Sequence, residues 1–483
     1  MSRNLARLAE ATHERRGDYD ALWFDGAWFR SAELLDRGAR LARGLVELGV
    51  KPGDRVVVMM ENSPDVGVVY HAIARAGAVV TPVIFLLSAE ELRRIVLDAE
   101  PSLVIASPLV LDTVATAANG VPVVTDLTEH EQGEPLPIVA RADDDLAALV
   151  YTGGTTGRAK GVMLTHANLW EAGRRGHDAG HVDGIDRSLS CLPLSHSYGL
   201  LVLNVSLHHP GRPQSVLMSW FDADAWLELA QTHRSQIAPV VPSMLYMLLR
   251  SPLENYDLSE LRYIASGAAP LAPEAIQEFV RRVPGLEIRE GYGLTETTAL
   301  VSTNRPGAVK YGTVGVPVPG TEVRIVDGEI CVRSELLMKG YWNAPELTTE
   351  TIRDGWLYTG DMGRLDEDGY LTILDRKKDL IIRGGFNVFP RDVEEALLEH
   401  PAITSACVVG RPDEVHGEEV VAFVTLAEEI APDELVAFGR QRLGGYKYPR
   451  EIHVLDALPL TPIGKLDRKT LREQLTMQGG RTG

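Results

Sequence analysis

The sequence predicts an α/β protein: a large N-terminal domain of mostly parallel sheets with helices and a β-rich subdomain, then a small α+β C-terminal domain. Three observations carry that expectation. The chain has 483 residues, too many for one compact core. Short, wholly apolar runs of strand length alternate with amphipathic helical stretches through the first two thirds of the chain, the pattern of parallel sheets covered on both faces. The texture then changes twice, after about Gly315 and again after DRKKD at 375–379.

Taken in order, the first clear helix opens at Ser31 as N-cap, with Glu33 in its first turn, Leu34, Leu41, Leu45 and Leu48 on one face, and Gly49 closing it. RVVVMM (55–60), bounded by KPGD and NSP, reads as a buried strand. A helix near 65–77, the strand AVVTPV, the helix SAEELRRIVLDAE and the strand SLVIAS follow, then strands at DLAALV (145–150), from Gln236 to Val241 and from Leu261 to Ser266. TEVRIVDGEICVRS and GYLTILD are short strands joined by turns. Beyond DRKKD come a helix from Pro390 (PRDVEEALLEH), strands SACVVG and EEVVAFVTL, a helix PDELVAFGRQRL and a strand EIHVLD. The domain boundary is placed at that charged segment, giving 1–376 and 377–483.

Composition removes several function classes. Acidic residues outnumber basic ones 67 to 48, a net charge of -19, which argues against a nucleic-acid surface and requires any anionic ligand to meet local positive charge. Cys191, Cys331 and Cys407 show no CxxC spacing and make an odd count, so neither a zinc cluster nor a disulfide framework is expected and a reducing, cytoplasmic setting fits. MSRNLARLAEATHERR lacks an apolar leader core, and the most apolar window, 66–87, is interrupted by His71, Arg75 and Pro82. No membrane span is expected, and QGGRTG carries no lipid or peroxisomal address. Nothing in the sequence sets an oligomeric state.

The chemistry-bearing stretches sit between the regular elements. YTGGTTGRAKG (151–161) follows an apolar strand and joins glycines to the hydroxyls of Thr152, Thr155 and Thr156 and the charges of Arg158 and Lys160. That is the composition of a phosphate cradle, and also of a flexible turn. It is not a GxxxxGK[ST] loop, because Ala159 and Gly161 stand where the second glycine and the Ser or Thr should be. LPLSHSYG places His196 in a loop, where a structural histidine is the ordinary reading. GYGLTETT offers Tyr292 between Gly291 and Gly293, able to lie against a planar ring, then Thr295 and Glu296, a carboxylate suited to Mg²⁺. YTGDMG presents Asp361 on a tight turn, and LPLTPIGKLDRKTLR holds Lys465 after Pro-Ile-Gly.

Together and in this order, YTGGTTGRAKG, LPLSHSYG, GYGLTETT, YTGDMG, DRKKDLIIRGGFNVFP and TPIGKLDR closely resemble the core motifs of the AMP-forming adenylate family: acyl-CoA synthetases, aryl-CoA ligases, luciferases and peptide-synthetase adenylation domains. The resemblance runs from about Ser31 to Leu471 and is nearest to fatty acyl-CoA synthetases. It implies an enzyme that uses ATP and Mg²⁺ to convert a carboxylic acid to an acyl adenylate with release of pyrophosphate, then passes the acyl group to CoA. It further implies that Thr152, Gly153, Gly154, Thr155, Thr156, Gly157 and Lys160 hold ATP phosphates. Tyr292, between Gly291 and Gly293, faces adenine, Asp361 and Arg376 face ribose, Thr295 faces the α-phosphate, and Glu296 holds Mg²⁺. Lys465 is the catalytic lysine, and His196 borders the substrate carboxylate. The C-terminal domain is implied to rotate at Lys378, with Gly384 and Gly385 lining a pantetheine tunnel. Ser243, Ser266, Gly267 and Ala268 would border an acyl pocket taking a fatty, cyclic or aromatic acid. Two positions depart from the common pattern: Gly153, where many relatives have Ser, and Ser195, where a bulkier residue often precedes the histidine. An amide-forming ligase, with an amine in place of CoA, would show the same motifs.

Overall fold

The computed structural model describes residues 3–152, 159–384, 386–413, 415–443, 445–461 and 466–479. Contacts gather the chain into two units, Met1–Val323 with Val332–Leu357, and Arg324–Cys331 with Tyr358–Gly483.

Two sheets build the first unit. The larger has nine strands, in the order Val316–Pro317, Ser302–Thr303, Glu287–Tyr292, Tyr263–Ser266, Ile237–Val240, Arg187–Ser190, Gln214–Leu217, Asp20–Phe24 and Ala27–Arg30. Its middle pairs are parallel and its edges antiparallel. The second runs Gly340–Tyr341, Lys160–Thr165, Leu146–Thr152, Val79–Val83, Arg55–Met59, Leu103–Ala106 and Val123–Val124, parallel except where the first three pair. Parallel neighbours need long crossovers, which explains why helices intervene. Helices Ser31–Glu47 and Pro64–Arg75 give Leu41, Leu45, Val68 and Ile73 to a core with Val56, Val80 and Ile105 of the smaller sheet. Val66, on the other side of the second helix, packs with Leu194 and with Leu217 of the larger sheet. The helices therefore form a layer between two sheets.

Local chemistry sets the ends of these helices. Ser31 is not the cap that the sequence suggests. It is the first helical residue, Arg30 holds the cap position, and the Asp18 carboxylate accepts the Ala32 N–H at 3.1 Å and the Ser31 hydroxyl at 3.3 Å. A carboxylate from thirteen residues upstream does the work a local side chain was expected to do. The other end is as expected: Gly49, at φ 96°, donates to Val46 O while Val50 donates to Leu45 O, a paired closure that needs a left-handed residue. Ser88 and Glu91 form a reciprocal capping box for Ala89–Ala99. The apolar window resolves into helix Pro64–Arg75 and strand Val79–Val83, and among the described residues no helix is long and apolar enough to cross a membrane.

The second unit is α+β. Asp361–Leu365 pairs antiparallel with Leu371–Arg376. Beyond them a five-stranded sheet runs Phe386–Val388, Ile381–Arg383, Gly417–Leu426 and Ile403–Asp413, with Glu451–Val454 paired parallel to Gly417–Leu426. Val393 and Leu397 of helix Pro390–Leu398 and Leu435 of helix Pro432–Arg442 pack on Val408, Val420 and Val424. The turn expected at Asp361 is instead the interior of strand Trp356–Leu365. Gly360 at φ 72° kinks that strand, and the Thr359 hydroxyl accepts the Asp361 N–H at 3.1 Å, so a local Gly-Asp turn signal is absorbed into a longer strand.

Candidate active site

Two antiparallel strands flank the glycine-rich stretch: Thr152 ends one and Lys160, opposite it in register, starts the next. A strand rather than a helix after the stretch accounts for the failed match to the strand–loop–helix phosphate motif. Gly153, Gly154, Thr155, Thr156, Gly157 and Arg158 lie outside the described residues, as do Gly385 and Lys465.

From Lys160 the structure runs directly to Glu296 through a residue that sequence reasoning missed. The Lys160 ammonium sits 5.4 Å from the centroid of the Tyr341 ring, and the Tyr341 hydroxyl donates to Glu296 Oε1 at 2.8 Å. Burial, then the neighbouring carboxylate, pushes the Tyr341 phenol well above its usual pKa, so it stays a donor. Tyr341 is held by pairing with Val162 on the hairpin strand, and Glu296 is anchored through its carbonyl, which accepts Met338 N–H at 2.8 Å. The only sequence signal was an aromatic pair in MKGYWN.

Glu296 belongs to a tight non-repetitive turn. Tyr292 ends strand Glu287–Tyr292, Thr295–Thr297 makes one 3₁₀ turn, and Thr298 and Ala299 take positive φ. Gly293 cannot be replaced without cost, because a Cβ there would lie 2.2 Å from Ala299 O. Thr295 Oγ1 donates to Ser197 Oγ at 3.1 Å, which joins this turn to the loop carrying His196. That histidine caps helix Ser197–His208, its Nδ1 accepting Tyr198 N–H at 3.3 Å. Gly199 lets the loop fold back, since a Cβ would fall 2.2 Å from Pro193 O.

Of the residues expected to border an acyl pocket, Gly267 lies beside Gly291 and Tyr198. Ser266 ends strand Tyr263–Ser266, buried, its hydroxyl without a hydrogen-bond partner among the described residues. A Cβ on Gly267 would lie 3.4 Å from Gly291 O and 3.7 Å from Tyr198 Cε1, and Ala268 takes φ 71°. Tyr198 is fixed by donating to Ala265 O at 3.0 Å. Ser243 is set at the start of helix Pro242–Leu249, beside Met244, whose sulfur meets Cys191 Sγ at 3.5 Å.

In the second unit, Asp361, 5% exposed, faces Arg376 across the ladder with Nε to Oδ1 at 3.4 Å. Glu329 accepts Gly360 N–H at 2.9 Å and pairs with Lys377 at 2.8 Å, fixing this strand pair from beneath. Lys378 follows in the exposed turn, and Gly384, at φ 58°, donates to His416 O at 2.7 Å.

Two family models match the chain, "AMP-binding enzyme" over residues 9–342 and "AMP-binding enzyme C-terminal domain" over 392–465. The chain belongs to the AMP-binding enzyme family. Among its relatives in that family is the long-chain-fatty-acid–CoA ligase of Bacillus subtilis (strain 168), 35% identical over 98% of this chain and 95% of the relative. Among solved structures, ATP-bound MatB from Rhodopseudomonas palustris is similar with a TM-score of 0.90 and 33% identity, covering 98% of this chain and 99% of that one. The amide bond synthetase McbA from Marinactinospora thermotolerans gives 0.88 and 29%, covering 97% and 99%. For a member of the AMP-binding enzyme family, the linked Lys160, Tyr341 and Glu296 are the part of this geometry suited to polyphosphate and a hard cation.

Proposed function

We propose that this protein activates a carboxylic acid with ATP, forming an acyl adenylate and pyrophosphate, and then transfers the acyl group to CoA, releasing AMP. The observation that supports the reading is the link from Lys160, whose ammonium lies 5.4 Å from the centroid of the Tyr341 ring, to Glu296, whose Oε1 accepts the Tyr341 hydroxyl at 2.8 Å. In the first half-reaction a carboxylate oxygen attacks the α-phosphorus and the bond to the β-phosphate oxygen breaks. Two anions meet there, so fixed positive charge lowers the barrier most. Lys465 supplies it, while Thr152, Gly153, Gly154, Thr155, Thr156, Gly157 and Lys160 hold the departing pyrophosphate. Tyr292 lies against adenine between the small Gly291 and Gly293, Asp361 and Arg376 take the ribose, and Thr295 the α-phosphate. His196 borders the substrate carboxylate and shapes its site, since a carboxylate needs no base near neutral pH.

Mg²⁺ fits the donor set: Glu296 offers a carboxylate oriented by the Tyr341 hydroxyl, and such oxygens suit a hard cation that also takes phosphate ligands. When bound, it neutralises charge on the leaving group. In the second half-reaction the CoA thiolate attacks the acyl carbon and the bond to AMP oxygen breaks. Residues 377–483 rotate about Lys378 between the halves, and Gly384 and Gly385 leave room for the pantetheine arm. Ser243, Ser266, Gly267, Ala268 and Tyr198 bound a pocket for a fatty or aryl acid. Three buried free thiols suit a reducing cytoplasm.

The test is incubation with MgATP, a panel of carboxylic acids, CoA and a mixture of amines, with products identified by mass spectrometry beside Lys465→Ala. Acyl-CoA is expected, with adenylation about 10²- to 10³-fold slower in the variant. Amides with CoA unused would move the protein to the chemistry named for McbA, and no ATP turnover with any acid would overturn the reading.

A further inference from the structure

Away from this site, three imidazoles meet where two helices end. His177 and His181 stand four residues apart at the C-terminus of helix His166–Gly180, in the sequence HDAGH, and their ring centroids are 4.7 Å apart. His209, the residue after helix Ser197–His208, brings a third ring to 5.7 Å from His177 and 6.2 Å from His181. Two histidines at this spacing on one helical turn are a chelating pair for borderline transition metals. A third imidazole from a separate element makes the cluster more than a helix motif.

The surroundings already set the tautomers that ligation needs. His181 Nε2 lies 3.0 Å from the Asp183 carboxylate, and His209 Nε2 lies 3.1 Å from Ile185 O. Each ring thus has its outer nitrogen bonded to an oxygen, as metal-bound histidines do, and its Nδ1 turned elsewhere. His209 Nδ1 accepts the exposed Gly211 N–H at 3.0 Å, a bond that water can replace. The His177 side chain makes no hydrogen bond or ion pair among the described residues, which leaves its ring nitrogens open to a ligand. Both helices present their C-terminal carbonyls here, a field that favours a cation. The opposing charges are already engaged: Arg16 on the carbonyls of Ser206, Leu207 and His209, and Arg289 on Gly180 O at 3.3 Å and on Glu287 at 2.7 Å. Asp178 is paired with Arg174 at 2.8 Å. A cleft of about 410 Å³, lined by Asp178, His181, Thr303 and Arg305, opens onto His181.

Among the described residues another group, Asp413, His416 and Glu419, has its ligand atoms closer together. It is the poorer candidate. Both oxygens of Glu419 are gripped by Arg383, at 2.6 and 3.0 Å, and Asp413 Oδ1 faces His416 Nδ1 and the N–H groups of Val415 and His416.

We propose that His177, His181 and His209 form a site for a borderline divalent metal such as Zn²⁺, closed by side-chain rotation about the ion and separate from the nucleotide site. The test uses untagged full-length protein stripped with chelator, titrated calorimetrically with Zn²⁺ alone, with the absorption spectrum of Co²⁺ as a second readout. Saturable one-to-one binding is expected, with a tetrahedral cobalt spectrum, lost in His177→Ala and His181→Ala and weakened about 10- to 100-fold in Asp183→Asn. His416→Ala should bind as the parent does. Melting temperatures without metal show whether each variant folds, and the exposed Asp183→Asn decides if an alanine variant does not. Absence of saturable binding by the parent, or binding lost in His416→Ala but kept in His177→Ala, would overturn the proposal.

Discussion

Tyr341 contributes through one hydroxyl. In Tyr341→Phe the ring still covers Lys160, but Glu296 Oε1 loses its donor. A hydrogen bond to a charged group contributes about 1.5–3 kcal/mol, so kcat/KM for MgATP should fall roughly tenfold or more. The melting temperature should move little, and steady-state kinetics beside a thermal melt separates the two. Gly293 tests steric fit. Gly293→Ala drives a methyl into Ala299 O, and overpacking of this kind costs about 1–3 kcal/mol. Nucleotide affinity and melting temperature should drop together. Gly67→Ala is the counterpart: the position is an exposed one in helix Pro64–Arg75 with nothing within 4 Å of the added methyl, so it should stabilise by about 0.5–1 kcal/mol without touching activity.

At the scale of elements, the hairpin that ends at Thr165 passes straight into helix His166–Gly180 through a reciprocal cap. Thr165 Oγ1 accepts Asn168 N–H at 3.1 Å, and Asn168 Oδ1 accepts Thr165 N–H at 3.0 Å. Thr165→Ala should cost about 1 kcal/mol, read as a lower melting temperature, and Thr165→Ser should restore it. Elements of this kind were legible in the sequence because periodicity and caps are local: the helix in SAEELRRIVLDAE, Gly49, and the apolar strands at 55, 79 and 103 all stand where the pattern puts them. What failed was set at a distance. Ser31 lost its capping role to Asp18, the Gly-Asp pair at 360–361 became the inside of a strand, and Tyr341 acquires its role only by pairing with Val162. Roles assigned to the site residues came from the family resemblance, since spacing along the chain cannot show that Thr295 reaches Ser197.

For the whole molecule, acid should lower stability. His166 is fully buried, its Nδ1 accepts Leu5 N–H at 3.4 Å, and its Nε2 has no partner among the described residues. Burial lowers its pKa from 6.5 to about 4. The unfolded chain therefore binds the proton first as pH falls. The stability this histidine permits is fully present above pH 6.5 and is lost towards pH 4, by at most about 1.4 kcal/mol per pH unit. Urea midpoints across that window should fall less steeply in His166→Asn, which keeps an acceptor but does not titrate, while His71 and His208, also lowered to about 4 by burial, keep part of the slope. Connectivity has a consequence for recombination. Because residues 324–331 belong with 358–483, the gene segment encoding the second unit is discontinuous. A single crossover at Leu357 would mate Gly360 and Lys377 with a foreign Glu329, or with none. Exchange of the C-terminal part between relatives should succeed more often with two breakpoints around this short insert than with one.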